Sequence, residues 1–370
     1  MVKKIAAGVG IVLAAVLAVV LGYVAYVFVS YDRIEDNLAL EVSGAASESV
    51  QIGQNYRISS ANMGFGAYSD DYSFFMDGGE ESRARSPEAV QQNIGGATQA
   101  VADQNADIML FQEVDLSGTR SHKINERDLI VDRLRANRAE SAAKSGTQFD
   151  YTYAINYDSA YLFYPISKPH GKNKSGILTA SDFPIVEATR RSLPIEEGFS
   201  KFMDLDRCYV KHRIPVAGGK DLLIYNVHLS AYTTNPDTAN NQLKLLFADM
   251  QAELAQGNYA IAGGDFNKDL LGDSADIFGH PPLTDNWAVP IPPQIIPDDV
   301  KLIAPFDAEH PVASCRNADR PYGPDDFVVT VDGFVVTNNV SVATASVVDT
   351  GFKWSDHNPV TMDFQLLPDK

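Results

Sequence analysis

Along this chain, polar residues recur where apolar runs end. Asn62 comes just after Tyr56-Arg57-Ile58, Glu113 follows Ile108-Met109-Leu110-Phe111, and His228 lies near the end of an apolar stretch beginning at Asp221. Asp265 and Asn267 come directly after Tyr259-Ala260-Ile261-Ala262, Asp332 sits inside a Val- and Phe-rich run, and Asp356-His357 precede Val360. Such positions at the ends of rigid elements are where active sites are commonly assembled. Carboxylate and amide oxygens are the ligands a hard divalent cation takes, and an acidic partner favours the imidazolium form of a histidine. Taken singly, each residue has a plainer reading. Asn62 is a turn residue before Gly64, Glu113 and Asp265 are solvated strand-end acids, His228 is a half-buried sheet histidine, and Asp332 is a turn acid before Gly333.

The elements that must carry these residues follow from periodicity. Ser86-Pro87-Glu88 is a helix start, with Ser at the N-cap and Pro at the first helical position, and Val90, Ile94, Ala97 and Val101 follow at helical spacing. A second helix is predicted over 240–256, with Leu243, Leu246, Phe247, Met250 and Leu254 on one side and Gly257 closing it. Strands are predicted over 108–111, 221–230, 259–262, 327–337 and 360–366. In the 221–230 strand, Leu222, Ile224, Asn226 and His228 share one face by the two-residue period, so the row turns from apolar to polar as the strand leaves the core. Strands interleaved with a few helices predict an α/β sandwich with mixed sheets and helices outside.

Taken together and in order, these words resemble the endonuclease/exonuclease/phosphatase superfamily of metal-dependent phosphodiesterases. The matching words are Asn62-Met63-Gly64, Phe111-Gln112-Glu113, Ser175-Gly176-Ile177-Leu178 before Phe183-Pro184-Ile185, Asn226-Val227-His228-Leu229, Gly264-Asp265-Phe266-Asn267, Val331-Asp332-Gly333-Phe334 and Ser355-Asp356-His357-Asn358-Pro359. The Gly-Asp-Phe-Asn and Ser-Asp-His-x-Pro words are the most specific. The resemblance implies a four-layer α/β/β/α sandwich of two mixed sheets flanked by helices. It also implies Mg²⁺, with Mn²⁺ as a substitute, held chiefly by Glu113 with Asn62 beside it and Asp356 close by. By the same resemblance Asp265, held by Asn267, orients or deprotonates the attacking water. His357 contacts the phosphoryl group while Asp332 fixes its ring, and His228 lies near the phosphate or leaving group. Gly333 departs from the family, in which many nucleases carry Tyr at this position. The insert 68–85, with Tyr72, Phe74, Phe75 and Met76, has no recognised counterpart and reads as an ordered surface loop by default, with a substrate-facing lip or a membrane-contacting loop as the alternatives. His122, His170, His212, His280 and His310 match no motif and read as surface or loop residues. The basic 170–176 loop, with Lys172 and Lys174, reads as a solvated loop or as a contact for substrate phosphate, and the arginines Arg207 and Arg316 have no assigned role.

Composition narrows the surroundings of this site. The 370 residues are 45% hydrophobic and 21% charged, an ordinary globular balance that excludes collagen-like, coiled-coil and wholly disordered chains. A formal charge of −18 argues against sequence-independent coating of nucleic acid, which depends on many Lys and Arg contacts to phosphates. Two cysteines, Cys208 and Cys315, provide neither a disulfide framework nor a Cys-rich zinc module, and whether they pair is not legible. Residues 5–29 carry no charge. At about 1.5 Å per residue a helix of that length spans the roughly 30 Å hydrocarbon core. Lys3-Lys4 precede it and acidic residues follow, so the positive-inside rule puts the amino terminus in the cytoplasm and the remainder outside. The run is longer than a signal-peptide core, and Tyr23, Tyr26, Phe28 and Tyr31 read as an interfacial aromatic anchor, with a cleaved signal, and hence secretion, as the alternative.

The expected organisation is thus an anchor over 1–31, a flexible tether over 32–54 and a catalytic domain over 55–370. The expected activity is Mg²⁺-dependent hydrolysis of phosphodiesters by in-line attack of an activated water, outside the cytoplasm. The substrate class stays open between nucleic acid and a phospholipid or sphingolipid headgroup. An inositol-phosphate phosphatase and a non-catalytic surface binding protein are the remoter alternatives. The expected partners are the phosphodiester substrate and the membrane, with no obligate protein partner evident.

Overall fold

Alternation along the strands sorts the apolar residues into three cores, and three cores require four layers. In strand Lys220–His228, Leu222 and Ile224 join a cluster with Ile58, Ile108, Leu110 and Phe364, which fills the space between two sheets. Leu223, Tyr225 and Val227 of the same strand face the other way, against Leu243, Leu246, Phe247 and Met250 of helix Pro236–Leu254. Each of these side chains, fully buried, contributes roughly 1.5–3 kcal/mol. On the far side, Met109, Phe111, Leu178 and Ala180 pack under helices Pro87–Ala102 and Glu126–Glu140. The chain is therefore an α/β/β/α sandwich. The computed structural model describes residues 2–31, 33–140, 148–196, 201–204, 206–231, 235–280 and 287–368.

Both sheets are mixed. One runs edge to edge through Leu38–Ala39, Glu187–Ser192, Cys208–Val216, Lys220–His228, Tyr259–Asp265, Asp332–Thr337 and Val300–Ile303. The other runs through Val340–Val347, Val360–Leu366, Tyr56–Asn62, Ile108–Asp115, Lys174–Ser181 and Asp150–Asp158. Each sheet holds one parallel pair, Tyr56–Asn62 with Ile108–Asp115 and Lys220–His228 with Tyr259–Asp265. A parallel pair needs a crossover, and the helices Pro87–Ala102 and Pro236–Leu254 supply them. Asn62, Glu113, His228 and Asp265 all lie at the carboxyl ends of these four strands.

Several expectations change in detail. Ser86 does cap its helix, accepting from the Ala89 N–H. The second helix begins earlier than predicted, at Pro236, with Asn235 as its cap. The 327–337 run is not one strand. Val328–Val329 pairs with Cys315–Arg316, and Asp332–Thr337 enters the seven-stranded sheet, because Ser314 Oγ takes the Val331 and Asp332 N–H groups where the chain bends. The stretch expected as a flexible tether is instead packed on the sandwich. Leu38–Ala39 forms the edge strand, Ser43 bridges to Tyr151, and Val50 is fully buried. The apolar residues scattered among its small polar ones, Leu40 and Val42 included, pack against the inter-sheet core. His170 and His212 are buried rather than superficial. His212 Nδ1 meets the Ile224 carbonyl and Nε2 meets Thr152 Oγ1, and burial pushes its pKa down to about 4, so it is a neutral part of the core. Cys208 and Cys315 are both free, buried thiols.

Helix Val2–Val29 stands apart, with no buried residue and a mean hydropathy of 2.7 over an 18-residue stretch. By length and composition it can cross a membrane. Only its end touches the sandwich. Tyr23 Oη donates to the Tyr161 carbonyl, Tyr26 Oη accepts from the Tyr161 N–H, and Phe28 and Tyr31 pack edge-on against Phe202. The residues read as an interfacial aromatic anchor also join the helix to the domain.

Candidate active site

The strand registers decide which polar residues meet. His228 lies directly opposite Asp265, and Asp265 directly opposite Asp332 on its other side. Asn62 faces Gln112 across the second sheet, which brings Glu113 alongside. Glu113 sits at an irregularity between Phe111 and Val114, with φ +52, and Asn267 just beyond its strand has φ +49. Left-handed conformations in non-glycine residues are uncommon and are held only where the surroundings over-determine them. Two glycines are required by close approach. A Cβ on Gly264, which has φ +145, would lie 2.1 Å from the Val227 carbonyl oxygen. A Cβ on Gly333 would lie 2.5 Å from Leu270 and 2.9 Å from the Ile303 carbonyl. The departure from the family's Tyr is thus built into the packing.

The motif residues Asn62, Glu113, His228, Asp265, Asn267, Asp332, Asp356 and His357 are brought close together here. Asp265 accepts from the Asn267 N–H at 2.8 Å and from Asn62 Nδ2 at 3.0 Å, and His228 Nε2 is 3.6 Å away. Asn267 is itself fixed by donating Nδ2 to the Leu229 carbonyl. His357 Nδ1 meets Asp332 Oδ2 at 2.7 Å, while its Nε2 lies 4.0 Å from Asp265. Asp332 Oδ2 also accepts from Ser314 Oγ. The two histidines are driven in opposite directions. Burial depresses His228 well below the usual imidazole range, helped by Arg207 and by His357, so it is neutral. Burial acts against charge on His357 too, but Asp332, the Cys315 sulfur and Asp356 outweigh it and hold the ring well above its ordinary value. Asp265 is raised to about 7, by burial first and also by Asp332, against the pull of His357. Oppositely shifted groups in one cleft are the pattern of an acid–base site.

Glu113, Asn62 and Asp356 form the oxygen-rich side of the site. Asn62 Nδ2 lies 3.5 Å from Glu113 Oε1, and the Asp356 carboxyl is raised by burial, with Glu113 pushing the same way. Glu113 and Asp356 offer the carboxylate oxygens a hard divalent cation takes, while Asn62 turns its Nδ2 toward Glu113 and its Oδ1 accepts from the Gly64 N–H. Asp265, Asp332 and His357 also converge, one ligand atom of each lying within 4.8 Å of the others, and this buried group could hold a metal ion as well.

Sequence reasoning missed what surrounds these residues. Glu113, His228, Asp265, Asn267, Asp356 and His357 line a cavity of about 460 Å³ whose other walls include Phe65, Tyr68, Phe74, Phe75 and Tyr164, with Tyr23 from the apolar helix, while Asn62 and Asp332 lie behind this lining and act on it through Asp265 and His357. The 68–85 insert is a lip of the cavity, the alternative to the surface loop that its sequence left open. Arg316 holds that lip by donating to the Ser69 and Tyr72 carbonyls, which commits its guanidinium to structure. Arg207 lines the cavity, and so does Arg120, which pairs with Asp115 and lies over the Phe65 ring. Lys172 and Lys174 do not line it, Lys174 pairing with Asp158 instead. His170 does, as a neutral ring whose pKa burial lowers to about 4. No periodicity or motif distinguishes Arg120 in the sequence, and Tyr23 stands out there only as part of the aromatic group ending the apolar run, because both reach the cavity through tertiary packing.

A mixed-sheet sandwich with a His–Asp pair and an acidic cluster at facing strand ends has the make-up of a phosphoric ester hydrolase, the class to which the matching family belongs. Residues 77–357 match the model of the Endonuclease/Exonuclease/phosphatase family, and the chain belongs to that family. The fold is shared with an endonuclease/exonuclease/phosphatase from Beutenbergia cavernae, at 16% identity and a TM-score of 0.56 over 85% of this chain and 72% of that one. A Bacteroides vulgatus endonuclease/exonuclease/phosphatase gives 17% identity and a TM-score of 0.50 over 85% and 99%. ANGEL2, described as a 2′,3′-cyclic phosphatase and solved with adenosine-2′,3′-vanadate, gives 12% and 0.51 over 88% and 99%. No curated protein matches the chain.

Proposed function

We propose that the chain is a membrane-anchored, extracytoplasmic phosphodiesterase that uses Mg²⁺, with Mn²⁺ able to replace it. The observation that carries this reading is the pairing of an Asp332-held His357 with a three-contact Asp265 inside one buried cleft. A divalent cation held by Glu113, Asn62 and Asp356 would offset charge on the phosphoryl oxygens. That placement is favoured over the Asp265–Asp332–His357 group because the short His357–Asp332 hydrogen bond already engages two of those three residues. Asp265 takes a proton from the attacking water, its carboxylate aimed by the Asn267 N–H and Asn62 Nδ2. His357 presents Nε2–H to a phosphoryl oxygen as an imidazolium, while neutral His228 offers a hydrogen bond without a charge. Water adds to phosphorus, one P–O bond breaks, and the departing oxygen takes up a proton, which yields a phosphomonoester and an alcohol.

The test is cleavage of bis(p-nitrophenyl) phosphate by the full chain in detergent. Activity is expected to vanish with chelator and to return with Mg²⁺ or Mn²⁺. Glu113→Gln should raise the Mg²⁺ concentration for half-maximal rate by at least about tenfold. Undiminished turnover in chelator would remove the metal from the reading. The location outside the cytoplasm follows from Lys3-Lys4 at the inner end of the helix. It predicts that protease added to intact cells digests the catalytic domain.

A further inference from the structure

Tyr23 belongs at once to the apolar helix and to the wall of the active-site cavity. Its hydroxyl is fixed by residues 161–163, donating to the Tyr161 carbonyl and accepting from the Phe163 N–H, while its ring packs edge-on against Phe163 at 5.2 Å. The loop so joined to the helix is apolar and uncovered. Phe163, Tyr164 and Ile166 are 55%, 69% and 88% exposed. It is also joined to the lip of the cavity. Ser82 Oγ donates to the Lys168 carbonyl, His170 Nδ1 meets the Ser82 carbonyl, and the Phe75 and Tyr164 rings lie 5.6 Å apart. Phe75 and Tyr164 both line the cavity.

We propose that this loop rests in the surface of the bilayer crossed by Val2–Val29, so that the cavity opens onto the membrane and takes a phosphodiester-headed lipid of that same bilayer. The proposal rests on the phosphodiesterase reading above and names its substrate class. Helix length places the mouth. Counted from Ile5, about twenty residues at 1.5 Å each fill the roughly 30 Å hydrocarbon core, which puts its outer boundary near Val24. Tyr23, and with it the cavity wall, then lies at headgroup level, where Tyr is favoured. Because residues 33–54 pack on the sandwich instead of forming a long tether, the domain has little freedom to move its mouth away. Lys168 and Lys172 are exposed around the aromatic loop, in a chain whose formal charge is −18. Local cations beside exposed aromatics suit a phosphate-bearing surface. The cavity, about 460 Å³ with aromatic walls leading to buried Asp265 and His357, suits one headgroup with an apolar body behind it.

The full chain is placed with Mg²⁺ in nanodiscs of phosphatidylcholine, phosphatidylglycerol, phosphatidylinositol or sphingomyelin, in separate arms. Bis(p-nitrophenyl) phosphate and a single-stranded DNA oligonucleotide serve as soluble diesters. Cleavage of at least one lipid is expected, and the doubly substituted Phe163→Ser, Ile166→Ser chain should lose about tenfold or more of it, since two apolar side chains no longer enter the interface. The same chain should cleave bis(p-nitrophenyl) phosphate within about twofold of the unaltered rate, because neither side chain lines the cavity. A Trp at position 163, introduced as Phe163→Trp, should be quenched by lipids brominated near the headgroup. DNA cleavage without cleavage of any lipid, equal loss on lipid and soluble diester, or an unquenched Trp would each overturn the proposal and leave the phosphodiesterase reading standing. No cleavage of any diester would overturn both.

Discussion

Asp265→Asn is expected to lower kcat for phosphodiester cleavage by about a thousandfold, within the range seen when a positioned general base is removed. Asn keeps the volume of a side chain that is 1% exposed, so the packing between the Lys220–His228 and Asp332–Thr337 strands is preserved. What changes is proton chemistry. The carboxylate has a pKa raised to about 7, lies among three polar groups, and is the buried acid best placed to receive a proton near neutrality. An amide cannot accept that proton. Substrate binding does not depend on the transfer, so KM should move far less than kcat. A loss of less than about tenfold in kcat, in a chain whose thermal unfolding is unchanged, would show that another group takes the proton.

How much of this was legible in the sequence depends on how local the determinant is. Ser86-Pro87 and the spacing of Val90, Ile94, Ala97 and Val101 specify their helix through neighbours in the chain, and the helix forms as read. The apolar-to-polar row of Leu222, Ile224, Asn226 and His228 places the site at a strand end for the same reason. Asn226 shows where locality stops. Its amide donates to the Leu178 carbonyl and Thr179 Oγ1 and accepts from Gln112 Nε2, which ties the two sheets together beneath the site. Residues 33–54 misled because small polar composition suggests a free chain, whereas a few apolar side chains and the Glu35 carbonyl, taken by buried Arg190, are enough to hold it. The aromatic lip and Tyr23 reach the cavity from distant parts of the chain, so no spacing rule applied to either could have assembled that wall.

His357 and Asp332 are expected to behave as one unit. Asp332 lies across its strand pair from Asp265, and its Oδ2 is shared between His357 Nδ1 and Ser314 Oγ, so its action on substrate passes through the imidazole ring. Replacing the carboxylate with an amide in Asp332→Asn removes the group that chiefly opposes the burial of a charged ring. The imidazole then loses its proton or its orientation. Either outcome takes away the cationic donor at the phosphoryl oxygen, and a fall of about 10²–10⁴ in kcat is expected. His357→Gln removes the same donor directly and should cost a comparable factor. If the pair acts in series, the double variant is no slower than the worse single one, whereas independent contributions would multiply. A merely structural Asp332 would instead lower the unfolding temperature and leave kcat of the folded fraction intact. Measuring turnover and thermal unfolding for the four members of the cycle separates these cases. Multiplicative losses, or Asp332→Asn that turns over at the unaltered rate, would show that the 2.7 Å contact does not set the state of His357.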